Sequence, residues 1–146
     1  MRLDRRRPLT AWMTAAVLFG LLSGSGSAAN PTEEWDAVTT LVDRIKAEAA
    51  VTPRTEQAQK LAGLVRSKTG KVAPKRVIRA LAGLMEDRDD SVRYWAAMAL
   101  GYMGPQATDA IPALEKALKE IERHTADKTS ESAIRLALRR INAPAK

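Results

Sequence analysis

Cysteine is absent from all 146 residues, and that one absence removes several classes of protein. Disulfide frameworks, thiolate zinc sites, cysteine nucleophiles and lipidated cysteine anchors all need the missing side chain. Histidine occurs once, as His124 in a polar stretch, so no multi-histidine metal centre can be assembled. Aromatic residues make up only 4% of the chain, while Ala and Leu supply much of its apolar content. That balance favours helices packed closely through small side chains over a sheet rich in β-branched and aromatic residues. The glycines are scattered through turns and helix ends and form no phosphate-cradling loop. The serines lie in neither a Ser-x-x-Lys nor a Gly-x-Ser-x-Gly context. No catalytic residues, no metal ligands and no cofactor site are therefore expected, and the chain reads as a non-enzyme.

Long apolar runs are also missing. The most apolar stretch, Leu9 to Leu22, is uncharged and has 14 residues, short of the roughly 20 that span a bilayer. It follows the basic opening MRLDRRRP and precedes SGSGSAA, the three-part layout of a secretory signal peptide. Ser27 and Ala29 supply small residues at −3 and −1, so residues 1–29 are expected to be removed ahead of Asn30, with a cut one residue earlier as the alternative. An uncleaved membrane anchor is the competing reading. The expected location is periplasmic or secreted. The leader also distorts the formal charge of +7. It carries Arg2, Arg5, Arg6 and Arg7 against Asp4, leaving 20 basic and 16 acidic residues, a net +4, for the remainder. A nucleic-acid binder of this size is usually more basic, with its cations gathered on one face.

From Pro31 onward the apolar residues recur at helical spacing and nowhere with period two. Trp35, Val38, Leu41, Val42 and Ile45 mark a first helix capped near Thr32, and Thr52-Pro53 breaks the pattern. Ala58, Leu61, Leu64 and Val65 mark a second. Val77, Ile78, Leu81, Leu84 and Met85 give a third, and Glu86 to Asp90 a turn. Val92, Ala96, Ala99, Leu100 and Met103 form a fourth, ended by Gly104-Pro105. A fifth runs through Ile111, Leu114, Leu118 and Ile121, with Pro112 tolerable only in its first turn. The sixth carries Ile134, Ala137, Leu138 and Ile141. Ala58/Leu61/Leu64 matches Ala97/Leu100/Met103 at an offset of 39, and Leu100/Met103 matches Leu138/Ile141 at 38. Residues 30–146 thus read as one all-α domain of about three helix pairs. A period near 40 with two helices per unit is that of a helical-repeat array, whose pairs bury their stripes only by stacking.

Residues 81–118 make the likeness specific. Leu84, Asp87, Asp89, Val92, Arg93, Ala96, Ala97, Leu100, Gly101, Gly104, Ala110, Ile111, Pro112 and Leu114 resemble a HEAT repeat, close to the HEAT-like units of phycobilin lyases. The clearest repeat covers 75–104 and continues into 106–142. The flanking units depart from the pattern: the first keeps Arg54 after Pro53 and the Ala/Leu spacing, and the last places Glu131 where the family has arginine. The resemblance implies an α-solenoid of about three helix pairs, stacked as a right-handed superhelix, used as a scaffold for protein–protein interaction. It also implies structural duties. Ala96, Ala97 and Gly101 would allow close helix approach, while Asp87 and Arg93 would form an inter-repeat ladder of exposed pairs worth about 0–1 kcal/mol each.

On the fourth helix Trp95, Met98 and Tyr102 fall at i, i+3 and i+7 along one flank. The second helix of each pair lines the concave face in this family, so that flank is a candidate for contact with a protein partner. Arg135 and Arg139 of the sixth helix are expected to add polar contacts. Packing between adjacent units is the alternative role for the aromatic pair. The acids Glu86, Asp87, Asp89 and Asp90 could bind calcium or act as acid and base, but repeat register and helix-start placement account for them. Two other functions compete with the scaffold: a chromophore-lyase-like accessory or maturation protein, and a polyanion-binding HEAT protein. Export and the small number of repeats argue against the first. The modest charge argues against the second, so no nucleic acid is expected. A membrane enters only if the leader is retained.

Overall fold

The apolar stripes become six α-helices in the computed structural model, which describes residues 30–123 and 129–144. Residues 1–29, read above as a leader, and the segment holding His124 lie outside the described residues. The helices are α1 (Pro31–Ala47), α2 (Val51–Ser67), α3 (Lys75–Gly83), α4 (Asp90–Met103), α5 (Ile111–Arg123) and α6 (Thr129–Ile141). No strand occurs among the described residues, and no helix there is long and apolar enough to cross a membrane.

The odd and even helices form separate layers. Central α4 packs against α2 on one side and α6 on the other, while α3 touches both α1 and α5. Each pair buries its stripes against its partner and its neighbours: Val38 and Ile45, Leu61 and Val65, Val77 and Leu81, Val92 and Leu100, Leu114, then Ile134 and Ile141. Burying a large aliphatic side chain contributes about 1.5–3 kcal/mol, so stability is spread along the stack rather than gathered in one centre. This is an α-solenoid of three helix pairs.

Inner helices approach closely because their facing residues are small. A Cβ on Gly101 would lie 3.3 Å from the Cα of Ala137 on α6. Ala58 and Ala97, equivalent in the 39-residue register, are both fully buried. The third pair carries Arg135 and Arg139 at the positions of Ala97 and Gly101, and both are exposed. A helix following α6 could not approach it as α6 approaches α4.

Several boundaries differ from those the sequence predicts. Pro31 opens α1 with Asn30 at the cap and no side-chain cap bond, so Thr32 lies inside the helix. Thr52-Pro53 breaks nothing. The interruption is at residues 48–50, where the Ala50 N–H donates to Glu48 Oε1 at 2.9 Å, and α2 already begins at Val51. Pro53 sits in the first turn, where backbone N–H groups lack intrahelical partners in any case. The acidic turn is shorter than expected, because Leu84–Glu86 forms a 3-10 turn. After α4, Gly104 turns the chain at φ +59°, a left-handed value that favours glycine. Residues Gly104–Ala110 then wind as 3-10 turns into α5, and Pro112 is the second residue of that helix, as its chemistry requires.

Candidate functional site

The acidic turn at the start of α4 is built into the scaffold. Asp87 receives the Arg54 guanidinium of α2, and both side chains are almost buried, at 8% and 5% exposure. Arg54 also donates through Nε to the Ile45 carbonyl at 3.2 Å. Asp89 caps α4 by accepting the Ser91 N–H at 2.9 Å. Asp90 pairs with Arg93 at 2.8 Å and accepts from both the Ser130 hydroxyl and, at 3.1 Å, the Ser130 N–H at the start of α6. Glu86 reaches Lys116 of α5 at 2.7 Å. That exposed bond lowers the Glu86 carboxyl below its ordinary value and raises the Lys116 amine. Among the described residues no group of His, Asp and Glu could hold a metal ion.

The expected ladder is therefore present with different partners. Arg93 donates to the backbone carbonyl of Asp87 at 2.7 Å and to the Asp90 carboxylate. The arginine that meets the Asp87 carboxylate is Arg54, from the preceding pair. The rung is buried rather than exposed, because Arg54 in the first turn of α2 is held between the Ile45 carbonyl at the end of α1 and the Asp87 carboxylate. The remaining motif residues act as packing: Val92, Ala96 and Leu100 are fully buried, and Gly101 lies against Ala137.

The flank of α4 carrying Trp95, Met98 and Tyr102 is left half-buried, packed along the edge of the core. Trp95 stands edge-on to Tyr94, with ring centroids 5.0 Å apart at 86°. Tyr102 lies between two cations: the guanidinium carbon of Arg66, on α2, is 5.8 Å from its ring centroid, and that of Arg140, on α6, is 5.6 Å away. Tyr102 thus has neighbours on both flanking even helices. All three side chains lie half-buried along this flank, but Arg135 and Arg139 do not join them. Arg135 bonds Glu131 on its own helix and Glu122 on α5, each at 2.9 Å, and the Glu131 bond is the main cause of its raised pKa. Arg139 is exposed, one turn further along that same edge of α6. Sequence reasoning noted Arg54 only as a retained repeat position, though it stands 39 residues before Arg93, and missed Arg66, Arg140 and Ser130.

Residues 40–138 match the family model described as HEAT repeats. No curated protein and no solved structure matches the chain. The match runs from within α1 to within α6, so it takes in all three stacked pairs with their small-residue contacts and the buried Arg54–Asp87 rung. By architecture and by sequence, the chain belongs to the HEAT-repeat family.

Proposed function

We propose that this chain is an exported, non-enzymatic scaffold that holds a polypeptide partner against the inner side of its helix stack. The observation that carries the reading is the trio Trp95, Met98 and Tyr102, large side chains left half-buried where the even helices line up. Aromatic, Met and Arg side chains are enriched at the centres of protein interfaces, and stacked helix pairs present an extended surface for such contact. The acids of the α4 turn support a non-enzymatic role, because their bonds to Arg54, Ser91, Arg93, Ser130 and Lys116 give each a structural duty. Export is supported by the leader-like layout of residues 1–29.

The test uses a displayed library of random dodecapeptides panned over the purified chain. Affinities of selected peptides are then compared for wild type and the Trp95→Ala, Tyr102→Ala double variant, after circular dichroism has confirmed its fold. Truncating a true aromatic anchor typically costs about 2 kcal/mol, roughly a thirty-fold loss of affinity. A loss of that size is the expected result. Full affinity in the folded double variant would remove these anchors from the interface, and failure to select any peptide would overturn the scaffold reading.

A further inference from the structure

We infer that the C-terminal ends of α2, α4 and α6 form a carboxylate-binding site, in which Arg66 and Arg140 receive an acidic side chain of the bound polypeptide over the Tyr102 ring. The inference rests on the scaffold reading and names the partner chemistry. Arg54, Arg76, Arg93 and Arg135 form ion pairs with acidic side chains. Arg66 and Arg140 are different. Both are exposed, and their recorded interaction is the shared tyrosine ring, with no carboxylate partner among the described residues. Two guanidinium groups brought to one ring from neighbouring helices, neither paired with an acid among the described residues, favour the entry of an anion. The planar fork of each can then grip a carboxylate oxygen.

Helix dipoles offer a simpler account, since basic residues in a last turn complement the negative helix end. That account leaves the direction of the side chains unexplained. Neither guanidinium bonds a terminal carbonyl of its own helix, and both turn sideways to Tyr102. There is also room for a ligand. Gly63, one turn before Arg66 on the same flank and equivalent in register to Tyr102, has no atom within 4 Å of where a Cβ would stand.

A protein carboxylate fits better than a phosphate backbone. Two arginines around one ring make a point of contact rather than a track. The same inner flank carries exposed Glu56 at the other end of α2, where a polyanion would meet repulsion. Between the two ends, Trp95 and Met98 offer apolar surface to the residues beside the acid.

Peptides selected from the dodecapeptide library are remade with each Asp or Glu replaced by its amide, and titrated against wild type and the Arg66→Gln, Arg140→Gln double variant. Both arginines are exposed, so the variant is expected to fold, which circular dichroism checks. The expected result is a loss of tenfold or more for one acid-to-amide change on wild type, and no further loss for that change on the double variant. Tight peptides indifferent to the amide change would overturn the carboxylate site and leave the scaffold standing, whereas no selected peptides at all would defeat both. A fluorescent oligothymidylate of twelve nucleotides serves as the polyanion probe. Binding that the double variant abolishes, without any acid dependence among the peptides, would assign the two arginines to a polyanion and overturn the proposal.

Discussion

Gly63 and Gly101 lie in the C-terminal parts of neighbouring inner helices, yet their surroundings differ. Nothing lies within 4 Å of a Cβ built on Gly63, and the residue is exposed. Gly63→Ala therefore removes unfolded-chain freedom without a clash and is expected to stabilise by about 0.4–1 kcal/mol. At Gly101 the obstacle is the Ala137 backbone, 3.3 Å from the new carbon, which cannot rotate aside as a long side chain would. Gly101→Leu forces α4 and α6 apart and is expected to cost about 1–3 kcal/mol or more. Denaturant midpoints of the two variants should move in opposite directions. A destabilising Gly63→Ala would mean that the inner flank of α2 is covered rather than open.

At the scale of elements, the helix pairs are joined by polar clamps as well as apolar packing. Arg54 of α2 holds the turn before α4 through Asp87, and Asp90 of α4 holds the first turn of α6 through Ser130. Removing one member of a buried pair strands the other, so Arg54→Ala is expected to cost about 3–5 kcal/mol. Asp90→Ala leaves a first-turn N–H without its acceptor, for about 1–3 kcal/mol. Hydrogen exchange should localise that loss, with protection falling in α6 before α2. Uniform loss across both helices would show that the third pair does not open on its own. Much of this layer was legible in the sequence. The 39-residue offset that aligns Leu61 with Leu100 follows from apolar spacing alone, and both are fully buried. The clamps were less so, because a ladder drawn from Asp87 and Arg93 gives no sign of which layer each rung occupies. The inner trio on α4 was readable as a flank. Its cationic neighbours were not, since placing Arg66 and Arg140 beside Tyr102, and Arg135 beside Glu122, requires knowing how α6 is rotated against α4 and α5.

For the whole molecule, the leader reading makes a simple prediction: intact-mass measurement of the exported product should show a chain beginning at Asn30. A mass that retains residues 1–29, in a membrane fraction, would make the segment an anchor. Removal of the leader would also take Trp12 with it, leaving Trp35 and Trp95, and their placement gives the protein a built-in optical readout. Trp35 is buried in the first pair, its indole N–H donating to the Val72 carbonyl at 3.1 Å. Trp95 stands half-buried in the second pair, and the third pair has no tryptophan. Intrinsic fluorescence therefore follows the first two pairs and is blind to the third, whereas far-ultraviolet ellipticity follows every helix. In a stack whose stability is nearly a sum over neighbours, superimposable melting curves from the two signals indicate that the third pair unfolds with the rest. The Asp90→Ala variant is expected to separate them, ellipticity falling first while emission holds.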